Sequence, residues 1–418
     1  VASNKQTTSK EQLYQSNSKI NEKDNFTIGC HSNNIYLDHS ATTPVDKAVL
    51  KAMTPYFCDT FANASSVHSM GQKANSAVDL ARRKVAEILK VKPTEIYFTS
   101  GGTECCNWAM MGVVITEKRN KVIVSSIEHA AVLSSAKRLK EQGVEVIYLP
   151  VNKDGFIEVS SLEAVIDDRV ALVAVMLANN EIGTIQPVKE LAAVAKKHGA
   201  LFFTDAVQAV GSIPVYPTEL GVDMLCLSAH KFYGPKGCGV MYIRGGVKHN
   251  KLITGGHQER NQRGGTTNVP LIVGLAAALQ PAVENLERNA KKIGRLRDYF
   301  VKEVFDKVPH VILNGGKNNR LPQNANFTFE FIEGESLLLS LDLSGIACSS
   351  GSACSSGSLE PSHVLMAMGI EEEKAHGSIR FTFGKYNTKA EVDLVVAELV
   401  VAVQRLRKMS PLWAMYNS

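Results

Sequence analysis

Three short stretches of this sequence place reactive side chains directly after apolar runs. The first is Ser228-Ala229-His230-Lys231-Phe232-Tyr233-Gly234-Pro235, which follows Met224–Ser228 and then turns sharply. In an open α/β sheet, ligands collect beyond the carboxyl ends of the strands. A lysine kept out of water there retains a nucleophilic amine and can form a Schiff base, although a plain surface charge is the competing reading. Ser228 and His230 beside it can donate to a phosphate. The second stretch, Thr99-Ser100-Gly101-Gly102-Thr103-Glu104, joins a strand to an amphipathic helix. Its glycines allow the backbone to approach an anion, and the helix N-terminus offers free N–H groups. It matches neither a Walker loop nor GxGxxG, and many such turns are only turns. The third, Phe203-Thr204-Asp205-Ala206-Val207-Gln208, sets an acid after a strand. That acid is either a helix cap or the partner of a cationic ring nitrogen, the pairing that pyridoxal phosphate chemistry requires.

Eight cysteines occur, with no CxxC and no regular Cys/His spacing, so neither a disulfide framework nor a zinc site is expected from spacing. Most read as small buried hydrophobes of a reducing compartment. Cys105-Cys106 is assigned to core packing on its helix. Cys348 follows the stretch Leu343–Ala347 and reads as structural. Cys354 lies in Ser349–Ser358, where eight of ten residues are Ser or Gly, a segment that cannot pack a core. A thiolate that must reach a substrate and then present its cargo fits such a segment.

These residues need elements to position them. Apolar segments at Glu95–Thr99, Lys121–Ser125, Val144–Pro150, Val170–Ala178, Leu201–Thr204, Met224–Ser228 and Val240–Arg244 alternate with helical stretches such as His129–Gln142 and Val188–His198. That alternation predicts an α/β fold with a mostly parallel seven-stranded sheet covered by helices. Thr43-Pro44-Val45-Asp46 reads as a helix start with Thr43 as N-cap. Past about residue 285 the pattern changes to a long helix (Asn289–Phe305), short strands (Ala325–Glu330, Ser378–Phe383) and a last helix opened by a Thr388/Glu391 capping box. The expected organisation is a large domain over 46–286 and a smaller α+β domain from 33–45 and 287–418.

Composition sets the outer bounds. At 418 residues, more than one domain is expected, and 44% hydrophobic with 21% charged residues is ordinary for a large globular core. A net charge of +5 on this length gives no case for a nucleic-acid surface. The longest apolar run, Val170–Ala178, is nine residues, well short of the about 20 of a spanning helix. Residues 1–32 are polar and without period, so they read as a flexible tail. They lack Arg and carry Glu11, Glu22 and Asp24, which favours the cytoplasm over the alternative of a mitochondrial matrix.

Eight motifs, YLDHSATTPV, FTSGGTE, SIEHAAV, NNEIG, TDAVQ, SAHKFYGPKG, GGHQERNQRGGT and SSGSACSSGSLEPSHVL, follow in one order through the chain. Together they resemble a cysteine desulfurase, a pyridoxal-phosphate enzyme of aminotransferase class V with an aspartate-aminotransferase-like fold, closest to the nitrogen-fixation-type branch. The resemblance implies conversion of L-cysteine to L-alanine, with the sulfur carried as a persulfide of Cys354 to an acceptor in iron–sulfur cluster assembly. It implies that Lys231 attaches the coenzyme, His129 lies over its ring and works as acid or base, and Asp205 holds its ring nitrogen protonated. Asn180 and Gln208 would hydrogen-bond the ring substituents. Gly102, Thr103, Ser228, His230 and the neighbouring subunit's Thr266 would hold the phosphate, which implies a homodimer. Arg380, helped by Asn180, would clamp the substrate carboxylate. No metal is implied. A selenocysteine lyase, or a silent partner of a scaffold protein, are the alternatives. The long Cys354 segment speaks against the first, and the complete set of chemical residues against the second.

Overall fold

A computed structural model describes residues 34–350 and 360–416. The expected N-terminal tail and Cys354 therefore lie outside the described residues. After β1 (Ile35–Tyr36) come seven strands: β2 (Ile96–Thr99), β3 (Lys121–Ser125), β4 (Glu145–Leu149), β5 (Val170–Ala174), β6 (Leu201–Asp205), β7 (Met224–Ser228) and β8 (Gly239–Ile243). They form one sheet in the order β2-β8-β7-β6-β5-β3-β4. Neighbours from β7 to β4 run parallel, whereas β8 lies antiparallel between β2 and β7. The direction of β2 therefore matches that of the parallel set.

Strands such as β5 (VALVA) and β7 (MLCLS) are buried at every residue. Runs of this kind suit a sheet covered on both faces. Alternate side chains serve opposite cores: Val122 and Val124 of β3 join one apolar cluster and Ile123 the other. Helices α1 (Lys47–Met53), α2 (Ser69–Leu89), α3 (Gly102–Gly112), α4 (Ala130–Glu141), α5 (Val188–Lys197) and α6 (Val269–Glu284) accompany this sheet. The seven apolar segments read from the sequence all appear, with ends shifted by a few residues. The fifth strand stops at Ala174, and the chain from Val175 to Ala178 continues buried but outside the ladder.

Beyond α7 (Leu286–Lys307), the strands β9 (Val311–Leu313) and β10 (Asn324–Phe329) precede α8 (Gly334–Leu343). Then come β11 (Ile346–Ala347), β12 (Ser349–Ser350), α9 (His363–Ala367), β13 (Ser378–Thr382) and α10 (Lys389–Met409). A second sheet has the order β12-β13-β10-β9, and β1 pairs with β11 in parallel. Its core centres on Phe300, whose ring meets Phe381 edge-on at 4.9 Å between centroids. Ile379 and Phe381 enter that core, so the two-residue period turns Arg380 to the other face of β13. The expected capping box at Thr388 and Glu391 opens α10.

One local expectation is corrected. Thr43 is not a helix cap: α1 begins at Lys47, and Asp46 accepts from the Ala48 N–H. The Thr43 hydroxyl instead donates to the His230 carbonyl at 2.8 Å and accepts from Tyr233 N–H, tying this segment to the turn after β7. Cys348 packs partly buried against the second core, as a structural role implies; in the stretch before it Ile346 is buried whereas Leu343 is 88% exposed. No single helix among the described residues is long and apolar enough to cross a membrane.

Candidate active site

Because β2, β3, β5, β6 and β7 share a direction, their carboxyl ends share one edge of the sheet. Each expected site residue of this sheet sits within a few positions of such an end, and together they line a cavity of about 350 Å³. Gly102 and Thr103 follow β2, His129 follows β3, Asn180 lies beyond β5, and Asp205 with Gln208 close β6. Ser228, His230 and Lys231 come from the end of β7, and Arg380 closes the cavity from β13. Thr266 does not line this cavity and is exposed in this chain.

At the start of α3, Gly101 has φ 152°, a conformation that favours glycine. A Cβ on Gly102 would stand 2.8 Å from Val207 Cγ2, so only glycine leaves the helix N-terminus open here. Glu104 in the first turn of α3 accepts from Ser100 N–H and takes a two-point ion pair from Arg263 at 2.9 and 3.0 Å. Burial opposes its ionisation, but Arg263 and the Ser100 N–H together hold its carboxyl below the usual range. The segment that carries Thr266 is thereby fastened to the same helix.

Asp205 is buried and its Oδ1 accepts from Val207 N–H at 2.8 Å. Lys231 Nζ donates to the Ser40 and Ala41 carbonyls, the latter at 2.8 Å. The Gln208 amide also donates to Ser40 O, at 2.9 Å. His129 Nδ1 accepts from Ala131 N–H at 3.1 Å, which leaves the proton of the neutral ring on Nε2. Burial, reinforced by Lys231 and Lys236, pushes His230 down to about 4, so it meets ligands as a neutral donor or acceptor. Arg380, only 2% exposed, gives Nη1 to Asn180 O at 3.0 Å and Nη2 to Asp38 at 2.9 Å. Its Nε is buried without a partner. An unspent donor of a buried guanidinium at a cavity wall is suited to a carboxylate.

A lysine, a carboxylate and an open helix N-terminus on one edge, faced by an arginine, form the arrangement against which known proteins can be compared. The family model for aminotransferase class V matches residues 35–395. The chain belongs to the class-V aminotransferase family. Within it the chain groups with the cysteine desulfurases. It is 48% identical over 379 residues to cysteine desulfurase IscS of Dictyoglomus turgidum, covering 90% of this chain and 96% of that protein. Its identity to cysteine desulfurase IscS of Methanosarcina thermophila is 48% over 380 residues, 90% of this chain and 94% of the relative. Among solved structures, a NifS-like protein superposes with a TM-score of 0.84 at 40% identity, over 89% of this chain and all of the other. SspA in complex with cysteine gives a TM-score of 0.75 at 36% identity, over 84% of this chain and 99% of that one.

The class-V motifs contain neighbours of the site to which the sequence reading gave no role. Ser40, Ala41 and Asp38 belong to YLDHSATTPV, but only the fold shows that they hold Lys231 and Arg380. Glu128 precedes His129; burial pushes its carboxyl up to about 8 despite hydrogen bonds from Met176 N–H and the Ser125 hydroxyl. Glu181 follows Asn180, is raised to about 7 by burial, and accepts from the Ser362 hydroxyl. Both acids sit inside quoted motifs, yet nothing in their spacing signals burial. Cys348 is partly buried, and burial pushes its thiol up to about 12.

Proposed function

We infer that this protein is an L-cysteine desulfurase that binds pyridoxal phosphate at the shared strand edge. The observation that carries this reading is the convergence on one cavity of Lys231, Asp205, the α3 N-terminus and Arg380. The class-V family is pyridoxal-phosphate-dependent, and the residues present fit that coenzyme. Gly102 and Thr103 at the N-terminus of α3 can meet a phosphate, the Asp205 carboxylate can meet a ring nitrogen, and Lys231 lines the same cavity. Bound there, pyridoxal phosphate supplies the electron sink that stabilises negative charge on the substrate Cα.

The chain's own groups do the rest. Lys231 would hold the coenzyme and move the Cα proton. Asp205 would hold the ring nitrogen protonated, and His129 would meet the ring and exchange a proton through Nε2. Gly102, Thr103, Ser228 and His230 hold the phosphate, with the partner subunit of a homodimer supplying Thr266. Asn180 and Gln208 orient the ring, and Arg380 fixes the substrate carboxylate. The Cys354 thiolate attacks the substrate sulfur, so that the S–C bond breaks and an S–S bond forms. L-cysteine and the enzyme thiol thereby become L-alanine and an enzyme persulfide, with no external oxidant. An iron–sulfur scaffold protein is the proposed acceptor of that sulfur. The two sheets with their separate cores suggest a coenzyme-binding domain over 46–286 and a smaller domain formed by 33–45 and 287–418.

Incubation with L-cysteine tests the reading. Equal amounts of alanine and transferred sulfur, with a persulfide mass on the Cys354 peptide, are expected. Alanine without any enzyme persulfide would remove Cys354 from its role.

A further inference from the structure

Behind the carboxylate of Asp205 stand two thiols that the proposed reaction does not use. Cys106 comes from the first turns of α3 and Cys226 from the middle of β7, while Asp205 ends β6. Cys106 Sγ lies 3.6 Å from Asp205 Oδ2, Cys226 Sγ lies 3.6 Å from Oδ1, and the two sulfurs are 4.0 Å apart. Exposures are 1% for Cys106, 0% for Cys226 and 6% for Asp205.

We propose that Cys106, Cys226 and Asp205 form a binding site for a soft divalent cation of the zinc and cadmium type in the coenzyme-free enzyme. Tetrahedral zinc holds sulfur at about 2.3 Å and carboxylate oxygen at about 2.0–2.2 Å, which sets its ligand atoms roughly 3.4–3.8 Å from one another. The two sulfurs reach opposite oxygens of the carboxylate, and one ligand atom from each residue lies within 4.8 Å of the others, so a rotation of the Asp205 carboxylate together with closure of the sulfurs sets all three around one ion. Core packing accounts for Cys105, whose sulfur rests against the Thr99 hydroxyl at 3.0 Å. Cys106 and Cys226 differ in that both thiols donate to one buried carboxylate, and with it they form, among the described residues, the one group of three with metal-ligand spacing. Two thiolates and one carboxylate select zinc or cadmium over magnesium or calcium. Cys106 and Asp205 both line the cavity, so the cation and a water as fourth ligand enter from there. Binding releases two thiol protons to solvent and leaves the cluster with one net negative charge beside Lys231 and His129.

A consequence rests on the function proposed above. If Asp205 holds the ring nitrogen, coenzyme and cation compete for the same carboxylate, and each lowers the other's apparent affinity by the same factor. Sequence spacing could not reveal this site, because its ligands come from three separate elements.

The test uses the full chain stripped of coenzyme, in a Cys354→Ser background, titrated with cadmium ion and followed by its ultraviolet thiolate charge-transfer band. One tight cadmium per chain is expected, weakened at least tenfold by Cys106→Ser or by Cys226→Ser and unchanged by Cys348→Ser. Cadmium binding should also release two protons per Cys354→Ser chain, a readout independent of how the Cys106 and Cys226 variants fold. Preloading with pyridoxal phosphate should abolish the band. A C106S/C226S chain that binds cadmium as tightly as its parent overturns the site. Equal binding with and without coenzyme overturns the competition. Failure to take up pyridoxal phosphate at all would instead strike the functional reading, and the titration of the stripped chain would still decide the cation site.

Discussion

The two sheets contribute to the cavity by different means. The seven-stranded sheet supplies Gly102, Thr103, His129, Asn180, Asp205, Gln208, Ser228, His230 and Lys231, all just past strand ends that topology brings to one edge. The four-stranded sheet supplies Arg380 from within β13, where the two-residue period turns it away from the phenylalanine core. Many short contacts on a rigid edge suit a group that stays bound through every turnover. One buried guanidinium, steadied by Asp38 and the Asn180 carbonyl and with Nε unspent, suits a carboxylate that arrives and leaves.

The sharpest way to break this division is at Lys231. Lys231→Ala should lower alanine formation on the order of 10³-fold, because it removes the proposed attachment point and proton carrier together. Borohydride reduction followed by peptide mapping should label Lys231. A label on Lys236 would move the covalent chemistry off the strand edge. Arg380→Ala should act on the other side of the comparison. Loss of a buried, charge-paired fork costs about 2–5 kcal/mol in kcat/KM, with coenzyme retention unchanged. Asp38→Asn should show a weaker form of the same effect. If Arg380→Ala instead shed coenzyme, the division of labour between the sheets would fall. Thr266→Ala should weaken coenzyme retention by about 1.5–3 kcal/mol, the worth of one hydrogen bond to a charged group, and only in the dimer.

How much of this was legible in the sequence follows the same boundary. Residues at strand ends could be read because an apolar run followed by Ser, Asp or Lys marks both the strand and its edge. The seven strands appear where periodicity placed them. Asp38 and Ser40 could not be read, because their roles depend on partners at Arg380 and Lys231, far away in sequence. Thr43 was misread for a related reason: its hydroxyl serves the turn at His230 and Tyr233, a tertiary demand that overrides the local capping pattern. Cys106 packs in the core as its helix position implies, but spacing says nothing about Asp205 and Cys226 folding against it.

The buried acids sharpen the comparison through pH. Glu128 keeps its proton up to about 8 in the folded protein because burial penalises the carboxylate. The unfolded chain releases that proton in the ordinary carboxylate range, so between there and pH 8 the native state binds more protons. Stability therefore falls as pH rises through this window, by up to about 1.4 kcal/mol per unit, and levels off above it. Glu181 adds the same sign up to about pH 7. Glu128→Gln carries the amide that mimics the protonated acid. It should flatten this slope, and at pH 8 its melting temperature should equal or exceed that of the unsubstituted protein. An unaltered slope would mean that the carboxyl is ionised in place.

The smallest effect is expected at Cys348, and it isolates the sulfur step from everything the two sheets hold. Its side chain packs partly covered against the core around Phe300 and Phe381, and burial pushes its thiol up to about 12. Near neutral pH it is therefore a neutral thiol, whereas sulfur transfer requires a thiolate. Serine is close in shape but loses apolar contact, so Cys348→Ser should cost of order 1 kcal/mol in stability. Persulfide formation and alanine release should match the parent enzyme. Cys354→Ser should do the reverse. The cofactor's absorbance change on adding cysteine should survive, because Lys231, Asp205 and Arg380 act on the amino acid's Cα and carboxylate and not on its sulfur. Persulfide and turnover should vanish. Mass measurement of the peptides bearing each cysteine, in both variants, separates these outcomes. A persulfide accumulating on Cys348 in the Cys354→Ser protein would show that burial there is not enough to silence a thiol beside this site, and would reverse the choice between the two cysteines.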